Sequence, residues 1–174
     1  MFKLILLGLL VFIGNADSLV FKKGEVKAHT GIFGDSNIEP ISHDIISYLT
    51  MNKSFESIKG MVSIHTLTLE SEKKDRDENM YELLENTTFP TISFKITNTV
   101  KENNAYIIKG ILDFHGVQKE VSSLVNIVQD NNSIVLDGNF SIKLTQFNLE
   151  PPSLLFFTVR DKIDINYTLY YDIK

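Results

Sequence analysis

Histidine is the chain's most versatile reactive side chain, since imidazole moves protons near neutral pH or binds a metal. Four are present, His29, His43, His65 and His115. They are scattered, without the His-x-x-x-His or Glu-x-x-His spacing that puts two ligands on one helical face. They therefore read as exposed or hydrogen-bonded histidines, and no metal site is expected. The densest charge cluster is Asp75-Arg76-Asp77-Glu78. Carboxylates that close can share general acid–base work, but the simpler role is electrostatic support for the start of a helix. Cysteine is absent, which removes disulfides, thiolate metal sites and cysteine nucleophiles together. No Gly-x-Ser-x-Gly elbow, P-loop or Gly-x-Gly-x-x-Gly stretch occurs. The expectation is no catalytic residue and no cofactor.

With so little reactive chemistry, the informative features are the elements that would hold it. The chain has 174 residues, 43% apolar and 22% charged, the size and balance of one soluble domain. A net charge of −5 leaves no basic footprint for a phosphate backbone, so no nucleic-acid partner is expected.

The opening, Met1-Phe2-Lys3 followed by an uncharged, mostly apolar run from Leu4 to Ile13 and then Gly14-Asn15-Ala16, has the three parts of a secretory signal. The apolar run is too short to span a bilayer as a helix. Cleavage is expected before Asp17, leaving residues 17–174 as one exported domain, periplasmic or secreted. No cysteine follows the apolar run to carry a lipid anchor.

Beyond that cut the dominant period is two. Ile163, Ile165, Tyr167, Leu169, Tyr171 and Ile173 alternate with polar residues, as do Ile134, Leu136, Gly138, Phe140, Ile142 and Leu144. Ile92, Phe94, Ile96 and Val100 share one parity, and so do Tyr106, Ile108, Leu112 and Phe114. Alternation of this kind gives strands with one face on an apolar interior and one in water, and favours antiparallel pairing. Turn signals at Glu102-Asn103-Asn104, Gln129-Asp130-Asn131-Asn132 and Glu150-Pro151-Pro152 separate short strands, as in a sandwich or barrel. The parity of Val62, Ile64, Leu67 and Leu69 flips between His65 and Thr66, which predicts a one-residue bulge. Gly60 and Gly110 mark places for a sharp bend.

One segment differs. Met80, Leu83 and Leu84 are spaced as one face of a helix over 75–86, with Asp75, Asp77 and Glu78 in its early turns. Phe89-Pro90 then returns the chain to extended geometry. Residues 38–55 fit helix and strand about equally, through Ile41, Ile45, Tyr48 and Leu49. The apolar strand faces are equally compatible with a packed core and with a barrel that encloses one ligand.

Three stretches resemble one family. Gly110-Ile111-Leu112-Asp113-Phe114-His115-Gly116-Val117-Gln118-Lys119-Glu120-Val121 is similar to the most recognisable motif of the YceI-like family. Arg76-Asp77-Glu78-Asn79-Met80 and Phe89-Pro90-Thr91-Ile92-Ser93-Phe94 resemble its helix and following strand. Val159-Arg160-Asp161-Lys162-Ile163-Asp164-Ile165 resembles its closing strand. The chain departs from the pattern at Leu19-Val20-Phe21-Lys22-Lys23-Gly24 and at Thr145-Gln146-Phe147-Asn148, so one end of the barrel is expected to differ.

The resemblance implies an all-β fold with one short helix, a lipocalin-like antiparallel eight-stranded β-barrel. It also implies a periplasmic homodimer without catalytic residues, holding a long isoprenoid lipid in its lumen; the partners expected are an isoprenoid lipid or isoprenoid quinone and a transiently contacted membrane. The residues of interior parity assigned to that lumen are Val26, Ala28, Ile64, Phe94, Ile96, Tyr106, Ile108, Leu112, Phe140, Ile142, Ile165, Tyr167 and Leu169. Met80, Leu83 and Leu84 would cover one end. Two other readings stand beside this one. The first is an enzyme acting on such a lipid, with His115 or the Asp75–Asp77 cluster at the lumen. The second is a filled barrel serving as a stress-related interaction module.

Overall fold

The structure, a computed structural model, describes residues 17–32, 36–154 and 157–174. The expected signal segment, residues 1–16, lies outside the described residues. Strands β1 (Asp17–Ile32), β2 (Ser36–Ile38), β3 (Ile41–Ser42), β4 (Ile45–Asn52) and β5 (Ser54–His65) precede the helix α1 (Lys74–Leu83). After it come β6 (Thr91–Glu102), β7 (Ala105–Phe114), β8 (Val117–Asp130) and β9 (Ser133–Lys143). The chain ends with the two-residue strands β10 (Ser153–Leu154) and β11 (Phe157–Thr158), then β12 (Lys162–Ile173).

The hydrogen-bonded order is β12-β9-β8-β7-β6-β5-β4-β1, and β1 pairs back onto β12. Eight strands thus close into an antiparallel barrel. Closure rests mainly on the β1–β12 seam, which runs from Leu19↔Ile173 to His29↔Asp164. The seam between β1 and β4 is short, covering Asp17–Leu19 against Met51–Leu49. Beyond it, Ser47 Oγ of β4 lies 2.8 Å from the Tyr171 hydroxyl of β12, and His43 Nδ1 lies 3.3 Å from Gly24 O of β1. Further along, β3 pairs with Val26 and Lys27 of β1.

The strands fall where the alternation places them, with three instructive differences. Residues 41–42 and 45–52 are strand: Ile45, Leu49 and Met51 are buried while Ile46 and Tyr48 are exposed. Ser47 occupies an inward position, so the apolar row that would identify a strand is interrupted. The predicted bulge at His65/Thr66 does not form. Instead β5 ends at His65 and the chain enters a 3₁₀ turn, Thr66–Thr68, capped by His65 Nδ1 accepting from Leu67 N at 3.3 Å. The third difference is a bulge between Ile96 and Asn98 of β6, which reverses the parity beyond it. Thr99 is therefore buried and Val100 is exposed, opposite to the expectation for Val100.

The tight connections follow from residues that tolerate positive φ. Asn103 (φ 55°) joins β6 to β7 and Asn131 (φ 47°) joins β8 to β9. His115 and Gly116 (φ 51° and 68°) make a two-residue hairpin between β7 and β8. Gly60 has φ 131°, and a Cβ there would overlap the Tyr48 carbonyl, so this position in β5 requires glycine.

The helix spans Lys74–Leu83, slightly shorter than expected. Asp75 and Asp77 occupy its first turn, where carboxylates complement the macrodipole. The Asp77 carboxylate also accepts Ser71 N at 2.9 Å. The Tyr81 hydroxyl donates to Leu69 O at 2.7 Å, tying the helix to the loop that leads into it. With α1 between β5 and β6, the helix lies at the barrel end formed by His65, Thr91, Phe114 and Lys143.

Candidate functional site

Inward side chains pack differently along the barrel axis. At the end away from the helix, Leu19, Met51, Ile58, Val125, Ile127, Ile134 and Tyr171 are all buried in one cluster. Phe21 packs edge-on to Tyr171 (5.6 Å) and Phe55 edge-on to Tyr106 (5.5 Å). This end is a solid plug. The same inward rows, followed toward the helix, bound a cavity of about 1440 Å³, larger than the pockets of about 300–1,000 Å³ that hold drug-sized ligands.

The floor of the chamber, above the plug, is made by Leu49, Ile96, Ile108, Leu136 and Leu169. The wall is made by Val26 and Ala28 of β1, Ile64 of β5, Phe94 of β6, Leu112 of β7, Phe140 and Ile142 of β9, and Ile165 and Tyr167 of β12. Met80 and Leu83 of α1 and Leu84 just after it border the same space, as do Asp77 and, at the rim, Lys73, Lys74, Asp75, Arg76 and Glu82. Apolar walls under a charged rim suit an occupant whose long part is apolar and whose head meets water.

Two glycines keep this space open. Gly138 stands opposite Tyr167 across the β9–β12 ladder, and a Cβ there would come within 2.5 Å of the phenol ring and its oxygen. The ring therefore lies flat over Gly138. Its hydroxyl reaches Ser123 Oγ at 2.9 Å, and Ser123 spends its own proton on Asn139 O at 3.0 Å. Tyr167 is thus the donor to Ser123, since a serine hydroxyl carries a single hydrogen. Gly110 does the same for Phe94, whose ring lies 2.5 Å from the Cβ position. Phe94 stacks on Phe140 (6.1 Å, 20°), and Phe140 lies 6.5 Å from Tyr167. Three aromatic rings pave one wall instead of filling the centre. Burial pushes the Tyr167 phenol up to about 12, with a smaller opposing effect from Ser123. The Tyr171 phenol in the plug is also pushed up by burial. Both stay neutral at physiological pH, as the apolar surroundings require.

Fifteen of the sixteen residues assigned to the lumen border the chamber, namely Val26, Ala28, Ile64, Met80, Leu83, Leu84, Phe94, Ile96, Ile108, Leu112, Phe140, Ile142, Ile165, Tyr167 and Leu169. Tyr106 does not. It shares their parity but lies below the floor, packed in the plug against Phe55, because parity gives the facing of a side chain and not its height. Sequence reasoning missed the floor residues Leu49 and Leu136, together with Gly138 as a space-maker. The signal for Gly138 was a glycine directly across a ladder from a large aromatic.

The candidate chemical groups are arranged for structure. His115 lies off the chamber, its ring against Phe89 (4.5 Å) and its Nδ1 3.1 Å from Phe147 O, where it donates. Its Nε2 is buried 3.5 Å from a Glu85 carboxylate oxygen, too poorly placed for a hydrogen bond. Asp77 holds Ser71 N, and Asp75 is exposed at the rim. His29 meets Glu39 at 3.0 Å outside the lumen. Among the described residues, no cluster of three or more His, Asp or Glu side chains is placed to hold a metal.

Comparison with known proteins agrees with this geometry. Residues 16–171 match the model of the YceI-like domain. Among solved structures, Burkholderia cenocepacia BcnA superposes with a TM-score of 0.72 at 17% identity, covering 84% of this chain and 95% of its own. A polyisoprenoid-binding domain from Saccharophagus degradans, implicated in plant cell wall breakdown, gives a TM-score of 0.70 at 11% identity, with 91% and 98% covered. The Campylobacter jejuni YceI protein gives 0.62 at 19% identity, with 100% and 92% covered. No curated protein sequence matches the chain.

Proposed function

Because the chain belongs to the YceI-like family, we propose that it is a non-enzymatic carrier of a long apolar lipid, a polyisoprenoid or isoprenoid quinone, held in the barrel chamber. The observation that carries this is the chamber itself, about 1440 Å³ of space between apolar walls, closed below by the plug and bordered above by charged residues of α1. The polyisoprenoid-binding domain of S. degradans shares the barrel and supports the ligand class.

The energetics favour such an occupant. Each methylene taken from water contributes about 0.8 kcal/mol. A tail of a few tens of carbons therefore outweighs the roughly 4–15 kcal/mol that association costs in lost freedom. A tail of that kind does not cross an aqueous compartment alone, whereas a barrel with a polar exterior transports it. The positions of His115 and Asp77, each engaged in the framework, speak against an enzyme built on them. The open chamber speaks against a barrel acting only through its surface.

Export belongs to the same reading. The signal-like opening and the expected cleavage before Asp17 support a carrier that works in the periplasm or after secretion. A homodimer and brief membrane contact complete it. Exposed Val100 and Leu124, with Ile107 between them in the ladder, form an outer apolar row suited to such contact. The test is native mass spectrometry of protein purified from its own host, followed by organic extraction. A co-purified isoprenoid is expected. Apo protein that also takes up no added prenyl lipid would overturn the proposal.

A further inference from the structure

The depth and the volume of the chamber do not match a single extended chain. On β12 its wall runs from Ile163 to Leu169, and on β9 from Leu136 to Ile142, with Leu144 just beyond the strand. Strands rise about 3.3 Å per residue and tilt about 40° in barrels, so the chamber is ~15–20 Å deep along the axis. Part of the volume of about 1440 Å³ lies among the rim residues of α1, so over that depth it gives a width of at most ~10 Å, against about 4 Å between packed carbons. Two hydrocarbon chains fit abreast. An eight-unit prenyl chain, advancing roughly 1.2 Å per main-chain bond as an extended polypeptide does, is about twice as long as the chamber is deep. A four-unit chain matches the depth.

We infer that the chamber holds its lipid doubled back, two chain thicknesses side by side, with the far end of the tail returned toward the charged rim. The floor stops a tail from threading the barrel, because below Ile108 and Leu136 the inward rows continue as the buried Tyr171, Ile134 and Ile58. The flat-lying Tyr167 and Phe94 leave the second chain its width, each over a glycine that a side chain would displace. Ala28 faces the space with a single methyl. This inference rests on the proposed lipid-binding function and adds the shape in which the lipid is carried.

The experiment is native mass spectrometry of lipid-free protein titrated with a twenty-carbon and, separately, a forty-carbon prenyl alcohol. The expected result is saturation at two twenty-carbon molecules per chain but one forty-carbon molecule. The Ala28→Phe variant fills the width at one height. It should bind a single twenty-carbon molecule and bind the forty-carbon alcohol at least tenfold more weakly than the parent. Val26→Phe takes its place where Ala28→Phe does not fold. Saturation of the parent protein at one twenty-carbon molecule would overturn the doubled-back arrangement while leaving the carrier function standing. Binding of neither alcohol would overturn both.

Discussion

Replacing Gly138 with alanine tests the account of why the chamber is hollow. The added methyl would sit 2.5 Å from both Cζ and the hydroxyl oxygen of Tyr167, about 1 Å inside ordinary contact distance. The ring has little room to yield, because its hydroxyl is bonded to Ser123 at 2.9 Å and Ser123 in turn to Asn139 O. Relief requires the ring to leave the wall. That loses a hydrogen bond worth about 1 kcal/mol and adds overpacking strain of about 1–3 kcal/mol. We expect Gly138→Ala to destabilise the lipid-free protein by about 2–3 kcal/mol, a melting temperature roughly 4–12 °C lower for a domain of this size. The decisive assay is a double-mutant cycle by urea unfolding. In a Tyr167→Val background nothing overhangs position 138. There alanine should be neutral or stabilising by about 0.5 kcal/mol, since glycine weakens strand interiors. The coupling between the two positions is then about 2–3 kcal/mol. Additive effects would refute the claim that Gly138 exists to accommodate the Tyr167 ring.

Three further outcomes follow from the geometry. Tyr167 and Tyr171 have phenols raised by burial from an ordinary value of 10.0, to about 12 for Tyr167. Stability from this source is complete below pH 10 and falls above it, as the unfolded chain loses protons the folded chain keeps, by up to about 1.4 kcal/mol per pH unit for each tyrosine. Urea midpoints measured from roughly pH 9 to 11.5 should show this decline, with a shallower slope in Tyr167→Phe; an unchanged slope would contradict it. His115→Asn should cost about 1–2 kcal/mol through the lost bond to Phe147 O. His115→Val should cost about 1–2 kcal/mol more, because a β-branched residue is strained at the φ of 51° found there; equal melting temperatures would argue against the turn geometry. Gly60→Ala should fail to give folded protein by circular dichroism, since its Cβ overlaps the Tyr48 carbonyl and its φ is 131°. A well-folded variant would show that the close approach to Tyr48 does not demand glycine there.

The barrel was legible because its strands are half-buried. A period of two records which face meets the interior, and the rows on β9 and β12 carry it without interruption. Legibility failed where the backbone left that period without a residue to mark it. The bulge between Ile96 and Asn98 of β6 turned Val100 outward, although Thr97 is an ordinary strand residue. The change of parity after His65 had a cause that alternation alone does not distinguish from a bulge, the end of the strand in a 3₁₀ turn. Ser47 broke the inward row of β4 because it pairs with the Tyr171 hydroxyl, a partner distant in sequence. The chamber wall was legible for the same reason as the strands, and its depth was not. Tyr106 and Ile108 have the same parity, but one packs in the plug and the other forms the floor. The difference between a filled and an open lumen lay in cross-strand pairs such as Gly138 with Tyr167, which become visible only once the register is known.

The most direct test of the central claim is a crystal structure of the protein purified from its own host without delipidation. The account predicts continuous density between the Phe94–Phe140–Tyr167 wall and Val26 and Ala28, ending above Leu136 and Leu169, with none in the plug around Tyr106 and Tyr171. A chamber filled by ordered water, or closed by the Phe94 and Tyr167 rings turned inward, would contradict it.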